Sequence, residues 1–189
     1  MRLGVFGGSF DPPHVGHLLV ADDAFDALDL DRLVFVPAAV QPLKAGRMVA
    51  SGAQRVEMLR LLLGDDVRFA VDAIEIERSG LSYTVDTLAA LAGRHPGSEL
   101  FLLVGADVLH TFAQWREPER IVQLATVVVL RRSEQRADVA ALVPARFLAT
   151  RRVDVSSTEI RDRVRAGKPI RGFVPEAVAA FIAATRLYR

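Results

Sequence analysis

The stretch Gly7-Gly8-Ser9-Phe10-Asp11-Pro12-Pro13-His14-Val15-Gly16-His17 follows directly on the short apolar run Leu3-Gly4-Val5-Phe6. It reads as a strand, a glycine turn and the start of a helix. Gly7 and Gly8 allow a turn that substituted residues resist, and Pro12 and Pro13 fix φ just ahead of a helix; Leu18, Leu19, Ala21, Ala24, Phe25 and Leu28 continue as a helical stripe. Such a turn aims free N–H groups at one point, and together with the positive end of a helix dipole they suit an anion, most often phosphate. His14 and His17 are three apart and share one face of the first turn. Two imidazoles there can donate hydrogen bonds to non-bridging phosphate oxygens as charge builds in a transition state. Taken singly, either histidine also reads as a cap, a packed ring or a solvated side chain. A zinc site would lack cysteine and a third ligand at recognisable spacing. The stretch has neither the Gly-Lys-Ser/Thr ending of a Walker A loop nor a GxGxxG fingerprint.

Composition sets the outer bounds. A chain of 189 residues, 51% of them hydrophobic, is enough for one domain over 1–189 with a sizeable core, its C-terminal helical part starting at about residue 156. With net charge +1 and no long basic run, binding to nucleic acid or to an anionic membrane has no electrostatic support, so the expected partner is small. The absence of cysteine excludes disulfides and thiolate chemistry and fits a reducing compartment. The N-terminus enters a strand at once with no long apolar segment, and the expected location is the cytoplasm.

Further along, Leu33-Val34-Phe35-Val36 before Pro37 reads as a buried strand, and Ala38 to Ala50 reads as a loop. Ser51 opens a helix over Ala53 to Leu63 that Gly64 ends. Phe69, Val71 and Ala73 alternate as a strand between Arg68 and Glu77, and Thr84 begins a helix through Leu91. Leu100 to Val104 is an unbroken apolar run that belongs in mid-sheet, turned at its end by Gly105-Ala106-Asp107. Helical stretches to about Trp115 and from Pro118 to Leu124 precede a strand over Thr126 to Leu130. Arg151 to Val155 is expected as a last short strand, with helices over Ser156 to Arg165 and Pro175 to Thr185. Strands alternating with helices imply right-handed parallel crossovers and a doubly wound parallel α/β sheet, with helices on both faces. Ligands in such folds bind beyond the carboxyl ends of the strands.

A second constellation is Ser156-Ser157-Thr158-Glu159-Ile160-Arg161. Ser156 with Glu159 three residues later is a capping box that needs no ligand. Arg161 adds something else, since a cation in the first turns opposes the helix dipole unless an anion sits there, and a guanidinium grips phosphate in a bidentate way. Tyr83-Thr84-Val85-Asp86-Thr87-Leu88 reads in isolation as ordinary N-cap chemistry on Thr84, and the single Trp115 as core packing.

The GGSFDPPHVGH stretch nevertheless resembles the HxGH motif of the nucleotidyltransferase superfamily, whose members move a nucleoside monophosphate from a triphosphate onto a phosphate acceptor. The Ser-Ser/Thr-x-x-Arg helix start resembles its second motif, which holds the triphosphate tail. YTVDTL is similar to the YTxDTL stretch of bacterial nicotinate mononucleotide adenylyltransferases, where it lies beside the pyridine carboxylate, and a tryptophan follows a Gly-x-Asp turn there as Trp115 follows Gly105-Ala106-Asp107. Six motifs in order from Arg2 to Tyr188 carry the resemblance. It implies a Rossmann-like, three-layer α/β/α nucleotidyltransferase fold and transfer of AMP from ATP to nicotinate mononucleotide in NAD biosynthesis, with pyrophosphate released.

The implied ATP site comprises Gly7, Gly8, Ser9, Phe10, His14, His17, Gly105, Asp107, Arg132, Ser156, Ser157, Thr158 and Arg161. The implied acceptor site comprises Gly8, Ser9, Lys44, Tyr83, Thr84 and Trp115. Asp107 would contact a ribose hydroxyl and Trp115 would stack on the pyridine ring. Helix N–H groups and the Thr84 hydroxyl suit a carboxylate better than an amide, which favours nicotinate over nicotinamide. His14, His17, Lys44 and Arg161 would supply charge to the five-coordinate phosphorus, and no general base is needed because the acceptor phosphate is already an anion. Lys44 ends a Gln41-Pro42-Leu43-Lys44 stretch in which Leu43 stands where the family has a histidine, and the loop's length with Lys44 in it points to a lid. Mg²⁺ would enter on the ATP phosphates, with no all-protein metal site; a homo-oligomer is compatible with the resemblance. Phosphopantetheine adenylyltransferase shares HxGH and Ser-Ser-Thr but leaves YTVDTL and Trp115 unexplained. A non-catalytic nucleotide sensor would have little need of His14, His17 and Arg161, and a class I aminoacyl-tRNA synthetase fragment lacks support from charge or a lysine-rich loop.

Overall fold

The computed structural model describes residues 1–40, 48–78, 80–132 and 144–189, with backbone alone at 107–109 and 132. Six strands, β1 (Arg2–Gly8), β2 (Arg32–Pro37), β3 (Phe69–Val71), β4 (Glu99–Gly105), β5 (Thr126–Arg132) and β6 (Ala145–Thr150), form one sheet in the order β3-β2-β1-β4-β5-β6. Every neighbouring pair is parallel. The helices are α1 (Val15–Ala27), α2 (Gly52–Leu63), α3 (Ile74–Arg78), α4 (Thr84–Arg94), α5 (Pro118–Leu124), α6 (Ser157–Arg165) and α7 (Glu176–Ala184), with a 3-10 helix over Ala106–Gln114.

The apolar runs read from the sequence lie at the centre of this sheet because a parallel strand there is covered on both faces. Alternate residues divide between two cores. Leu33, Phe35, Phe101, Leu103, Val128 and Leu130 pack on one face with Ala21, Leu59, Ile160, Val178 and Ile182. Val34, Val36, Leu100, Leu102, Val127 and Val129 pack on the other with Val85, Leu88, Leu91 and Ile121. The result is the three-layer, doubly wound arrangement that the alternation of strands and helices predicts.

Three local expectations are corrected. The last strand is β6, not Arg151 to Val155: Asp23 of α1 accepts from the Arg151 backbone N–H at 2.8 Å and from its guanidinium at 2.6 and 2.9 Å, and β6 pairs with β5 from Val127↔Ala145 to Arg132↔Thr150. The alternation after Arg68 ends at Val71, because the Asp72 carboxylate accepts from the Ile74 N–H at 2.9 Å and starts α3 where the charged end of a strand was expected. The N-cap of α4 is Tyr83, with Thr84 one position inside the helix.

Candidate active site

The chain runs outward from β1 to β2 and β3 on one side, and β4 begins the other side, so the carboxyl ends of β1 and β4 flank the point where the strand order reverses. A crevice forms at such a point because the following segments diverge to opposite faces. The loop into α1, the 3-10 helix after β4 and α6 after β6 all leave the sheet at that end.

Gly7 and Gly8 belong to β1 and do not make the turn. The turn lies at Phe10, whose φ of 49° is left-handed, and its ring folds back against Gly8. A Cβ on Gly8 would stand 2.9 Å from Phe10 Cζ, whereas nothing among the described residues lies within 4 Å of a Cβ built on Gly7. Gly8 is therefore required by close packing, while Gly7 borders open space. The expected fan of free amides is also smaller than the sequence implies, since the Val15 N–H donates to the Phe173 carbonyl at 3.0 Å.

His14 is the N-cap of α1 and His17 its third residue, and their rings stack with centroids 3.8 Å apart. The His14 backbone N–H donates to His17 Nδ1 at 3.2 Å. An accepting Nδ1 leaves the proton on Nε2, so the chain itself selects the tautomer in which His17 can donate from Nε2. A Cβ on Gly16 would lie 3.0 Å from His14 Nδ1, so glycine there lets the two rings close. His14 is 7% exposed, and its Nδ1 is buried without a hydrogen-bond partner among the described residues.

Desolvation by burial lowers the His14 pKa to about 4, and burial with the neighbouring His14 holds His17 well below its ordinary value. Both rings are therefore neutral at pH 7 in the free protein. They offer N–H donors rather than the charge expected of them, because two imidazolium rings cannot share so close a desolvated site. Stability has a matching pH dependence. The unfolded chain binds protons at His14 near pH 6.5 while the folded chain refuses them until about pH 4, so stability is complete above about 6.5 and falls as pH drops through this window, by about 3 kcal/mol at most for His14. Asp66 is held below 3.8 by hydrogen bonds from Arg68 and loses its contribution only at lower pH. Urea midpoints at pH 7.5 and 5 are expected to differ accordingly, with a smaller difference in His14→Asn.

Helix α6 closes the corner from the far end of the chain. Ser156 Oγ caps it by accepting from the Glu159 N–H at 3.1 Å, the serine half of the capping box that its sequence predicts. Ser157 Oγ donates to the Pro12 carbonyl at 2.8 Å, and Arg161 donates to the Asp11 carbonyl at 2.7 Å and to Thr158 Oγ1 at 3.1 Å. Among the described residues Arg161 has no carboxylate partner. The structure thus brings together the loop from Gly8 to His14, His17, Ser157, Thr158 and Arg161.

On the other side of the switch point, Tyr83 and Trp115 both pack against the core that holds Val85 and Leu88. The Trp115 indole lies 5.2 Å from the Phe112 ring and its Nε1–H donates to Thr111 Oγ1 at 3.4 Å. The next residue, Arg116, sits 4.9 Å over the Tyr83 ring and 3.5 Å from the Asp86 carboxylate. This arginine ties the YTVDTL helix start to the tryptophan turn; nothing in a linear reading of the sequence links them. Gly105 ends β4, Asp107 lies in the 3-10 helix and Arg132 is the last residue of β5, while Leu43 and Lys44, and with them the lid reading, fall outside the described residues.

Sequence reasoning missed a buried polar cluster behind the loop. Asp11, Arg55 and Tyr188 are 2%, 2% and 3% exposed. Asp11 accepts from the Val49 and Ala50 N–H groups at 2.7 and 3.0 Å and from the Tyr188 hydroxyl at 2.7 Å. Arg55 donates to the Ser9 and Ala50 carbonyls at 2.9 and 3.3 Å. One signal was available, an arginine on the stripe Arg55, Leu59, Leu62 of α2, since a charge on an apolar face implies a buried partner. Among the described residues no group of three or more His, Cys, Asp or Glu side chains converges on a metal position, and no helix is long and apolar enough to cross a membrane.

Comparison with known proteins agrees with this geometry. A family model described as Cytidylyltransferase-like matches residues 5–163. The chain is 51% identical over its full length to 93% of a Gemmatimonas aurantiaca protein named "Probable nicotinate-nucleotide adenylyltransferase". It is 44% identical to a Thermus thermophilus protein of the same name, with each chain covered to 100%. Its backbone superposes with TM-score 0.83 at 18% identity on Plasmodium falciparum nicotinic acid mononucleotide adenylyltransferase complexed with NaAD, covering 99% of this chain and 97% of that one. With the sheet order, the paired histidines and a full-length match to these relatives in hand, the chain belongs to the nicotinate-nucleotide adenylyltransferase family of cytidylyltransferase-like proteins.

Proposed function

We propose that the protein transfers the AMP group of ATP to the phosphate of nicotinate mononucleotide, forming nicotinate adenine dinucleotide and releasing pyrophosphate. The observation that carries this reading is the convergence of His14, His17 and Arg161 on one short loop beside open space at Gly7. An acceptor phosphate oxygen attacks the α-phosphorus, the bond to the bridging oxygen of pyrophosphate breaks, and no proton has to move. Neutral His17 then donates from Nε2 to a non-bridging α-phosphate oxygen, with His14 stacked against it, and Arg161 holds the β- and γ-phosphates against the start of α6. Gly8, Ser9, Ser157 and Thr158 line the same corner, and Phe10 supports it from below. Gly105 ends β4 and Asp107 follows it, where a ribose would lie; Lys44 and Arg132 are assigned phosphate contacts by their place in the family motifs.

The pyridine end is assigned to Tyr83, Thr84 and Trp115. The first-turn amides of α4 and the Thr84 hydroxyl suit a carboxylate, and the Arg116 guanidinium beside Tyr83 is balanced by Asp86 and Glu117. The buried carboxylate behind the loop, Asp11, already accepts three hydrogen bonds and is left no role as a metal ligand. Mg²⁺ fits as an ion carried by the ATP phosphates, where it neutralises oxygens during transfer. We read residues 1–189 as one unit, since one apolar core includes Phe10, Leu59, Ile160 and Tyr188. The absence of cysteine fits a cytoplasmic enzyme.

Pyrophosphate release from ATP and Mg²⁺ is the test, with nicotinate mononucleotide, nicotinamide mononucleotide and phosphopantetheine offered separately at matched concentrations. Selective turnover of the nicotinate compound is expected. Turnover with phosphopantetheine alone would overturn the assignment of Thr84 and Trp115, and ATP binding without turnover of any acceptor would leave a nucleotide sensor.

A further inference from the structure

We propose that Asp11, Arg55 and Tyr188 are positioning residues for the transfer, a buried cluster that locks the loop carrying Ser9 to His14 against the segment at Val49 and Ala50 and against the C-terminal turn. The inference rests on the reaction proposed above. None of the three is open to a ligand, because each is almost fully buried, so they act through the loop and not on substrate.

The hydrogen bonds define what is held. Arg55 fastens the Ser9 carbonyl from α2, Asp11 gathers two amides of the 48–50 segment, and Arg161 takes the Asp11 carbonyl from the α6 side. The loop is thereby gripped from both sides, at Ser9 from α2 and at Asp11 from α6, five and three residues before His14. Each hydrogen-bonding atom of the Asp11 carboxylate is occupied, the condition under which a buried charge is tolerated. Burial and the Asp11 carboxylate raise the Tyr188 pKa above its ordinary value, so its hydroxyl remains a donor at any working pH.

The backbone points the same way. Phe10, Arg186 and Tyr188 have φ of 49°, 55° and 64°, in the left-handed region that side chains other than glycine rarely adopt. Two of them flank the Asp11–Tyr188 hydrogen bond: Phe10 precedes the carboxylate, and Tyr188 itself carries the hydroxyl. Such strain persists where surrounding contacts over-determine it, and it concentrates at functional sites. An apolar residue at each of the three positions would fill the same core without a buried charge. What it would not do is hold two loops and the chain's C-terminal turn in one register.

Tyr188→Phe removes only the hydroxyl and keeps the ring in the core. Arg55→Lys keeps the charge but loses the fork that reaches two carbonyls. Both are expected to lower kcat by about tenfold or more, with KM for either substrate within about twofold, since loop displacement acts on alignment rather than on binding. In the free protein, NMR titration of the His14 and His17 ring signals is expected to move toward the ordinary histidine range as the loop loosens and water enters. Wild-type kcat with unmoved imidazole titrations in Tyr188→Phe, whatever the change in Tm, would overturn the proposal and leave the cluster a packing feature. Should Arg55→Lys fail to fold, Tyr188→Phe decides alone. If the wild-type protein itself turns over no nicotinate mononucleotide, the proposed reaction fails, and the imidazole titrations alone then judge the positioning role.

Discussion

His17→Ala is expected to lower kcat for adenylyl transfer by about 10²- to 10³-fold, the loss typical of a donor aimed at transition-state charge, with KM for ATP and nicotinate mononucleotide changed only severalfold. The reason lies in the tautomer. His17 Nδ1 accepts from the His14 backbone N–H, so the ring is oriented by the chain and its proton is left on Nε2, free to donate. Neutral rings suit this task, because burial already keeps both histidines uncharged and the donor strengthens as negative charge grows on the α-phosphate oxygens. Removing the ring leaves the His14 backbone N–H without its acceptor, so Tm is measured alongside to separate folding from catalysis. Steady-state kinetics under saturating substrates provide the check, and wild-type kcat with normal affinities would remove His17 from the mechanism.

Arg161→Ala is expected to have the other large effect, a fall in kcat/KM for ATP of about 10²-fold or more with KM for nicotinate mononucleotide nearly unchanged. Arg161 has two functions in this geometry: one nitrogen fastens the Asp11 carbonyl and another reaches Thr158 Oγ1, which orients the guanidinium plane at the start of α6. Lysine offers a point charge and no fork, so Arg161→Lys should recover little of the loss. Competition with pyrophosphate separates the two functions, because a residue that grips the triphosphate tail weakens pyrophosphate inhibition when removed. Equal pyrophosphate inhibition in wild type and Arg161→Ala would confine Arg161 to loop support.

Much of this architecture was legible in the chain. The runs Leu33 to Val36, Leu100 to Val104 and Val127 to Leu130 announce strands covered on both faces, and only a parallel sheet between two helical layers provides that. Errors fell where a local pattern is weak or a side chain overrides it. The edge strand β6 has one neighbour among the described residues and lacks a β-branched run, while Asp72 converts the end of a strand into α3 through a single hydrogen bond. Gly7 and Gly8 read locally as a turn that Phe10 makes instead, since a left-handed phenylalanine cannot be anticipated without the packing that enforces it.

The sequence by itself determined the strands from β1 to β5, the placing of the histidine pair at a helix start and the Ser156 cap, all consequences of local periodicity and near-neighbour hydrogen bonds. Tertiary structure alone decided that both histidines are neutral, that Arg116 joins Tyr83 to the turn after Trp115, and that Asp11, Arg55 and Tyr188 meet behind the loop. Desolvation and long-range hydrogen bonds depend on which residues share a volume: Asp11 and Tyr188 are 177 positions apart and become partners only when the sheet and its two helical layers close around them.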